Sequence, residues 1–394
     1  MLLYFLGLLG ISGTLLFLML IKKKFIDLKI NRLKPPIITK YDIIKNVKHE
    51  SDIILVTGAN GQVGRSIVEE LHKDNRYSKI RFFDVMKTWD PGDDVEIMIG
   101  DITNEHDIFN AINGCKVVVH CAAMIELRNN ISTENRMYNT NVVGTANVIN
   151  ACVKYGIDAL VYISTASILI DENYKKTKIF REQDINQIEK PSIFYSWTKL
   201  EAEKLVLAAN GTNNLKTISL RPPGIFGPYD SLIVLPMTKG IRPPPLFLNK
   251  AEYSNIANIH SFSLARACIL SIKQLLLNNK KVCGRFYFIS DFNCNFIYFY
   301  NGLAKVIGIA PRNYSFGVFL NPLIKISQFV DWITGGNVHH PFVSMFNKNT
   351  IKIIKMPIEL DTTDAQKDLD FTPLTFQEAM DITADSLGKK RIQF

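Results

Sequence analysis

Two side chains spaced four residues apart offer the first sign of chemistry in this sequence. Tyr195 and Lys199 lie in the segment YSWTK, and positions i and i+4 share one face of a helix. A free phenol, with a pKa of about 10, is a poor base at neutral pH. A neighbouring ammonium group stabilises the phenolate, so the pair predicts a lowered pKa for Tyr195 and a role in proton transfer. The same spacing also occurs in helices without this role, so the surrounding elements have to support it.

A hydroxyl group stands at the end of a predicted strand upstream of this pair. Thr165 follows the apolar run VYIS (161–164) and is placed to hydrogen-bond a substrate oxygen. Ser164, the preceding residue, competes for the same role. Asn141, in NTNVVGT (139–145), is a polar residue within a predicted helix.

A glycine-rich turn follows the first predicted strand, in ILVTGANGQVG (54–64). Gly58 is expected to permit a tight turn, Gly61 to let the backbone approach a phosphate, and Gly64 to let the helix pack closely. A turn of this kind between a strand and a helix places a pyrophosphate at the helix N-terminus.

Acidic residues follow the next two predicted strands. Asp84 comes twenty residues after Gly64, where a carboxylate accepts hydrogen bonds from both ribose hydroxyls of NAD and repels a 2′-phosphate. The alternative is that Asp84 only caps a loop. Asp101 and Ile102 are similarly expected beside the adenine amino group. The sequence therefore predicts NAD as the cofactor.

Alternating strands and helices must position these residues. The predicted strands are DIILVT (52–57), KIRFFD (79–84), VEIMI (95–99), KVVVH (116–120), ALVYIS (159–164), LKTISLR (215–221) and RFYFIS (285–290), and the predicted helices are 62–73, 104–112, 134–154 and 194–209. This alternation predicts an α/β fold with a Rossmann-type, doubly wound parallel sheet. We assign residues 52–225 to an NAD-binding Rossmann domain and residues 226–394, where the pattern loosens, to a smaller C-terminal substrate lobe.

Composition excludes several other classes of protein. The chain has 394 residues, of which 47% are hydrophobic, which is enough for a buried core and too many for a disordered protein. Its six cysteines show no spacing typical of metal ligands, so no metal site is predicted. The net charge of +9 is spread along the chain and no recognition motif accompanies it, so nucleic-acid binding is not expected.

The first segment predicts a membrane anchor. Residues 2–21 contain no charged residue, and Lys22, Lys23 and Lys24 follow them. Twenty apolar residues suit a helix that crosses a hydrocarbon core of about 30 Å. A cleaved signal peptide is disfavoured. Such a peptide has positive charge before its apolar run and a small-x-small cleavage site after it, and this sequence has neither.

The lysines place the following chain on the cytosolic side of the membrane. We therefore expect one N-terminal transmembrane helix (1–21), a basic stalk (22–51) and a catalytic domain facing the cytosol, with the endoplasmic reticulum as the membrane. Residues 314–334 are also apolar, but Pro322, Lys325 and Asp331 interrupt them, so a core or membrane-resting helix is expected there.

Taken in order, these segments resemble the extended short-chain dehydrogenase/reductases. Within them, the chain is most similar to the 3β-hydroxysteroid dehydrogenase group, including its sterol-decarboxylating relatives. The matching segments are TGxxGxxG from Thr57, Asp84, Asp101, HCAA (120–123), NVVGT (141–145), STAS (164–167), Tyr195 with Lys199, RPPGIFGP (221–228) and DTTDAQKDLDFTPLTFQEAM (361–380).

The resemblance implies a role for each matching residue. Tyr195 transfers the proton of the substrate hydroxyl, Lys199 tunes the phenol and holds the nicotinamide ribose, and Thr165 or Ser164 orients the substrate oxygen. Asn141 supports a proton relay, whereas His120 is a packed residue. Further cofactor contacts are implied for Asn60, Gln62, Val63, Ala122, Ala123 and Pro222.

Two departures from the family pattern concern the substrate side. Threonine stands at position 165 where the family usually has serine, and NIHSFSLARA (258–267) lacks the family's usual acidic pair. The implied function is NAD-dependent oxidation or reduction of a secondary hydroxyl on a steroid or sterol-like lipid. The alternatives are a decarboxylating sterol-4-carboxylate 3-dehydrogenase, or a dinucleotide-sensing or scaffold protein without catalysis. By analogy with the extended family, a homodimer through paired helices is expected.

Overall fold

The computed structural model describes residues 52–74, 77–127, 131–170, 178–185, 191–239, 255–310 and 358–394, with isolated residues and one short helical piece between 322 and 353. All of them belong to one compact unit, Ile38–Phe394. The predicted anchor and stalk lie outside the described residues, as does part of 314–334. Within the described part of the chain, none of the helices combines the length and the apolar character that a membrane span requires.

Twelve strands are found in the described residues. They are β1 (Ile53–Thr57), β2 (Lys79–Asp84), β3 (Val95–Ile99), β4 (Val117–His120), β5 (Ala159–Ile163), β6 (Lys178–Phe180), β7 (Lys216–Arg221), β8 (Gly224–Phe226), β9 (Asn255–His260), β10 (Arg285–Phe288), β11 (Phe292–Asn295) and β12 (Ile358–Leu360). Seven of them form a wholly parallel sheet in the order β10-β7-β5-β4-β1-β2-β3. The chain runs outward from β1 in both directions, which confirms the predicted Rossmann-type sheet.

Helices cover this sheet on both faces and extend toward the C-terminus. They include α1 (Gln62–His72), α2 (Glu105–Ile112), α3 (Ile131–Tyr138), α4 (Thr145–Lys154), α5 (Phe194–Ala208), α6 (Val234–Thr238), α7 (Ser261–Leu276), α8 (Phe296–Ile307), α9 (Thr363–Leu369) and α10 (Phe376–Ser386). The predicted helix 134–154 is three pieces, because a π-helical turn at Asn139–Gly144 separates α3 from α4. Such turns insert extra backbone into a helix and often occur at functional sites.

The first strand shows why the sheet forms. All five residues of β1 are buried: Ile54 and Val56 belong to the core on one face, and Ile53 and Leu55 to the core on the other. A parallel strand buried on both faces has a continuous apolar sequence rather than an alternating one. Each fully buried aliphatic side chain of this kind contributes about 1.5–3 kcal/mol to folding.

The sheet extends past the predicted domain boundary at residue 225. Strand β10, from the segment assigned to the substrate lobe, pairs with β7 in parallel. Helix α7 packs Leu264 and Cys268 into the same core as Val56. A segment of the predicted substrate lobe therefore returns to complete one edge and one face of the sheet.

Candidate active site at the carboxyl edge of the sheet

The glycine turn is fixed by steric contacts between backbone segments. Gly58 has a φ of +68°, and a Cβ there would lie 2.6 Å from the backbone nitrogen of Ala122. A Cβ on Gly64 would lie 2.2 Å from the carbonyl oxygen of Gly58. Gly61 is more open, since its nearest neighbour to an added Cβ is the Gly58 oxygen at 3.4 Å. The turn is thus closed toward the protein at two glycines and open at the third.

The N-terminus of helix α1 offers donors for an anion. The helix begins after Gly61, and no side chain caps it. Its first N–H groups lack partners within the helix, so they are suited to a phosphate group, which the positive end of the helix dipole also favours. Gln62 and Val63 occupy this first turn, and the Gln62 Nε2 atom is buried without a hydrogen-bond partner among the described residues. These features fit a dinucleotide pyrophosphate.

Asp84 lies at the rim of the glycine turn. Its Oδ2 atom accepts a hydrogen bond from the Asn60 backbone nitrogen over 3.0 Å, and its Oδ1 atom accepts one from Val85 over 2.7 Å. The side chain of Asn60 in turn accepts two hydrogen bonds from Thr88. The carboxylate therefore both caps the following loop and faces the turn, so the two interpretations of Asp84 are compatible.

Asp101 and Ile102 have different surroundings. Asp101 is exposed, and its carboxylate accepts a hydrogen bond from the backbone of Thr103 over 2.8 Å. Ile102 is buried, and its side chain would lie 2.7 Å from a Cβ on Gly144 in the π-helical turn. Ile102 thus packs against the π-helical turn, whereas the exposed Asp101 side chain is free to face a ligand.

Helix α5 brings Tyr195 and Lys199 to the ends of β4 and β5. The Lys199 Nζ atom is buried, donates to the carbonyl oxygen of Ile163 over 2.6 Å and lies 4.1 Å from the centre of the Tyr162 ring. Burial lowers the pKa of Lys199 to about 7. No hydrogen bond joins it to Tyr195 among the described side chains.

The expected lowering of the Tyr195 pKa is wrong for this structure. Burial raises the pKa of Tyr195 well above its ordinary value, because the phenolate is removed from water. The ammonium group that was expected to offset this burial is bonded to the Ile163 carbonyl instead. The spacing of Tyr195 and Lys199 on one helix face therefore does not by itself lower the pKa of the phenol.

The two candidate hydroxyls at the end of β5 have unequal surroundings. Thr165 caps the short helical turn Ala166–Leu169 by accepting a hydrogen bond from the backbone of Ser167 over 3.1 Å. Its hydroxyl also donates to the Ser167 hydroxyl over 3.0 Å. The Ser164 hydroxyl is buried and has no hydrogen-bond partner among the described residues.

Asn141 connects three segments around the site. Its Oδ1 atom accepts from the Met124 backbone nitrogen over 2.7 Å, and its Nδ2 atom donates to the Met124 carbonyl oxygen over 3.0 Å. The same Nδ2 atom donates to Thr198 of helix α5 over 3.0 Å. The π-helical turn that carries Asn141 thereby positions it between the segment after β4 and the helix that bears Lys199.

The segment after β4 is held by a packed histidine. His120 is fully buried between the hydroxyls of Thr57, 2.7 Å from Nδ1, and Thr145, 2.9 Å from Nε2. Burial lowers the pKa of His120 to about 3, so the ring is neutral. The Ala122 backbone nitrogen donates to Thr57 over 3.3 Å, which keeps Ala122 and the following Ala123 beside the glycine turn.

Pro222 borders the same edge on the side of β7. It is buried, and its carbonyl oxygen accepts a hydrogen bond from the Ala166 backbone nitrogen over 2.8 Å. The structure therefore places the predicted residues along one edge of the sheet: the glycine turn and Asp84 at the ends of β1 and β2, and the residues predicted for proton transfer at β4, β5 and α5.

Asp291 is a carboxylate of the C-terminal part of the chain that was not identified from the sequence. Asp291 accepts hydrogen bonds from the His260 backbone nitrogen over 2.7 Å, from the Leu374 backbone nitrogen over 3.0 Å and from the Ser263 hydroxyl. It supplies an acidic group to the segment 258–267, which lacks the family's acidic pair. No local motif marks it, because its partners lie about thirty residues before it and more than eighty after it.

The fold and the site define a dinucleotide-binding α/β protein of the short-chain dehydrogenase type. The chain belongs to the 3-beta hydroxysteroid dehydrogenase/isomerase family, whose model matches residues 55–318. This confirms the family resemblance drawn from the motifs.

Two curated relatives are similar to this chain. It is 32% identical over 194 residues to the human "sterol-4-alpha-carboxylate 3-dehydrogenase, decarboxylating", a match that covers 49% of this chain and 50% of that protein. It is 25% identical over 311 residues to "3beta-hydroxysteroid-dehydrogenase/decarboxylase isoform 1" of Arabidopsis thaliana, covering 76% of this chain and 68% of that one. The match thus spans half the length of the human protein.

Solved structures share the fold at low identity. The structure of MoeE5 in complex with UDP-glucuronic acid and NAD matches with a TM-score of 0.62 and 20% identity, covering 85% of this chain and 98% of that chain. At this level of identity the likeness shows the fold alone.

Proposed function

We propose that this protein is an NAD-dependent dehydrogenase acting on a secondary hydroxyl, of the 3β type, on a steroid or sterol-like lipid. The observation that carries the proposal is the placement of helix α5, which bears Tyr195 and Lys199. Lys199 binds the Ile163 carbonyl at the end of β5 and Thr198 accepts from Asn141, at the same sheet edge as a glycine turn followed by an uncapped helix. A hydride-transfer site needs this combination, since the cofactor and the proton-transfer groups have to reach the same carbon atom.

The residues that would hold NAD are Gly58, Gly61 and Gly64 with the first turn of α1 for the pyrophosphate, and Asp84 for the ribose. When bound, NAD supplies the acceptor for the hydride of the carbinol carbon. The preference for NAD over NADP follows from Asp84, whose carboxylate repels a 2′-phosphate.

The protein's own residues handle the oxygen and its proton. Tyr195 exchanges a proton with the substrate oxygen, and Thr165 orients that oxygen by a hydrogen bond. Lys199, held by the Ile163 carbonyl, lies one helical turn below the phenol. Asn141 fixes α5 against the segment after β4, which sets the distance between these groups.

A decarboxylating reaction is the second candidate, and the names of both curated relatives favour it. Oxidation at C3 of a sterol with a 4-carboxyl group gives a β-keto acid, which loses carbon dioxide readily. This reaction needs no residue beyond the dehydrogenase set. A dinucleotide-sensing or scaffold protein has no need of that set, so its presence disfavours the non-catalytic alternative.

We further propose that the protein is anchored in the endoplasmic reticulum membrane by residues 1–21, with its catalytic domain in the cytosol. Support comes from the uncharged run of twenty residues followed by three lysines. A lipophilic substrate partitions into the bilayer, where an anchored enzyme collects it. Protease added to sealed microsomes is expected to digest the folded domain. Protection of that domain would show that it lies on the lumenal side instead.

Turnover of a sterol panel tests the proposed activity. The full chain in detergent is given NAD and 3β-hydroxysterols with and without a 4-carboxyl group, while NADH and carbon dioxide are followed. NADH from either group supports the dehydrogenase, and carbon dioxide from the carboxylated group selects the decarboxylating reaction. Tight NAD binding without turnover of any member would support the sensor instead. Sedimentation of the same sample checks the expected homodimer.

A further inference from the structure

A chain of three hydroxyl groups joins Thr165 to helix α5. The Thr165 hydroxyl donates to Ser167 Oγ over 3.0 Å, and Ser167 Oγ lies 2.8 Å from Ser196 Oγ. Ser196 is fully buried and directly follows Tyr195 in the chain. Ser167 and Ser196 have no part in the proton transfer described above, yet they connect Thr165 to the helix that carries Tyr195.

The direction of these hydrogen bonds determines what Thr165 offers a substrate. A hydroxyl group has one proton to donate and two lone pairs to accept with. Thr165 uses its proton toward Ser167 Oγ and one lone pair for the Ser167 backbone N–H. In this arrangement it has one lone pair left, so it accepts a further hydrogen bond but donates none.

Holding a substrate oxygen requires Thr165 to donate instead. Its proton then turns toward the substrate, Ser167 Oγ donates back to Thr165, and Ser196 donates to Ser167, since either serine can be the donor of their shared bond. The Ser167–Ser196 bond reverses by rotation of hydroxyl groups about their C–O bonds, whereas the Thr165–Ser167 bond, which runs only from Thr165 to Ser167 here, also needs a small adjustment of the Ser167 side chain. No covalent bond breaks and no charge moves. Thr165 keeps its bond from the Ser167 N–H throughout, which holds the side chain in place.

Reversal of the hydroxyl chain also strengthens the hydrogen bond that Thr165 donates to the substrate oxygen. Hydrogen bonds in series polarise one another, and they do so most effectively away from water. A chain running from Ser196 through Ser167 to Thr165 therefore makes Thr165 a stronger donor to an oxygen on which negative charge develops. Charge of this kind appears on the substrate oxygen during hydride transfer at its carbon.

We propose that Ser167 and Ser196 are positioning residues for the substrate oxygen, and that reversal of the Thr165–Ser167–Ser196 hydroxyl chain turns Thr165 into its hydrogen-bond donor. This inference rests on the dehydrogenase function proposed above. It also assigns the oxygen contact to Thr165 rather than to Ser164, whose hydroxyl lies outside the chain.

Kinetic measurements on the full chain in detergent provide the first test. Ser167→Ala and Ser196→Ala are each expected to lower kcat by roughly tenfold and to leave KM within about twofold, the loss of one orienting hydrogen bond. The double variant is expected to lose little more than either single variant, because both remove the same chain. Ser167→Thr, which keeps the hydroxyl, is expected to retain most of the rate.

The matched control is Ser271→Ala. Ser271 is a fully buried helical serine like Ser196, but its hydroxyl donates to a carbonyl within α7. It is expected to leave kcat unchanged. The Tm of each variant is measured by thermal unfolding. A Tm within a few degrees of wild type, which corresponds to about 1 kcal/mol of unfolding free energy, excludes a loss of fold.

A spectroscopic measurement tests the chain without turnover. In the NAD-loaded protein with a bound 3-ketosteroid, the infrared carbonyl stretch of the ligand reports the hydrogen bond that its oxygen receives. The stretch is expected at higher frequency in Ser167→Ala and Ser196→Ala than in wild type, and unchanged in Ser271→Ala. A structural role alone would leave this frequency in place.

The outcomes separate this inference from the function on which it rests. Wild type that neither oxidises the sterol panel nor binds the 3-ketosteroid would overturn both. Active wild type with unaltered kcat and carbonyl frequency in the serine variants would overturn the hydroxyl chain alone. A larger loss in Ser164→Ala than in Thr165→Ala would do the same, because it would move the oxygen contact to Ser164.

Discussion

The glycine turn and the proton-transfer residues lie along one edge of the sheet, but they are determined in different ways. In the turn, backbone packs on backbone: a single added carbon on Gly58 or Gly64 would lie within 2.6 Å of a neighbouring main-chain atom. At Tyr195 and Lys199, the same stretch of sequence is compatible with several electrostatic states, and burial selects among them. Local sterics can thus be inferred from residue types, whereas pKa values depend on everything packed around them.

The largest expected effect concerns the phenol. Tyr195→Phe removes the proton-transfer group and is expected to lower kcat by about 10²-fold or more. Turnover of the sterol substrate measures it. Tyr298→Phe, at a half-exposed tyrosine on α8, is the control and is expected to have wild-type activity. Full activity in Tyr195→Phe would show that Tyr195 is not the proton-transfer group.

A pair of glycine variants tests the steric half of the comparison. Gly64→Ala is expected to destabilise the fold by about 1–3 kcal/mol or more, since its methyl group would meet the Gly58 backbone. Gly61→Ala has room for its methyl group and is expected to cost about 0.5–1 kcal/mol at this N-cap position, while weakening NAD binding. Urea unfolding and calorimetry measure the two quantities. Equal destabilisation by both would contradict the different roles of these glycines.

A smaller change is expected in cofactor preference. Asp84→Ala removes the charge that repels a 2′-phosphate and is expected to raise the ratio of NADP to NAD affinity by roughly tenfold, which is about the interaction of two charges across a wet surface. Asp101→Ala is the matched control: Asp101 also follows a strand, but it is expected beside the adenine, which NAD and NADP share, so the ratio of the two affinities is expected to stay unchanged. If wild type already prefers NADP, the role given to Asp84 is wrong.

A further expected effect is a dependence of stability on pH. The pKa of Lys199 is lowered to about 7 from an ordinary value of 10.5, so the folded state binds fewer protons than the unfolded state between these pH values. The free energy of unfolding therefore gains from this group as the pH rises from 7 toward 10. Lys199→Met lacks that gain.

Urea unfolding at pH 7 and pH 9 measures this difference between wild type and Lys199→Met. Lys204→Met, at an exposed lysine of the same helix, is expected to follow wild type. Parallel pH dependence in wild type and Lys199→Met would show that Lys199 is better solvated than its position in α5 indicates.

The sheet was largely predictable because its strands are long apolar runs. Of the seven predicted strands, β2 and β3 coincide with the predicted ranges and the other five differ by no more than two residues at an end, whereas β6, β8, β9, β11 and β12 were not predicted. The π-helical turn around Asn141 was not predictable, since helical periodicity continues through it and its contacts with Met124 and Thr198 come from other segments of the chain. The placement of β10 was also missed, because pairing with β7 joins segments more than sixty residues apart.

The site shows the same division between local and distant contacts. The spacing of Tyr195 and Lys199 placed them on one helix face, and Asp84 was found from its distance to the glycine turn. The hydroxyls of Ser167 and Ser196 were not linked by any motif, since they come from different elements. Asp291 was missed for the same reason.

The sequence by itself determined the order of strands and helices, the glycines of the turn and the family to which the chain belongs, because these follow from residue types at short spacing. Only the tertiary structure decided that Lys199 binds the Ile163 carbonyl, that burial raises the Tyr195 pKa, and that three hydroxyls connect Thr165 to α5. Desolvation and hydrogen-bond direction are properties of the complete surroundings of an atom, and those surroundings exist only once distant segments have packed together.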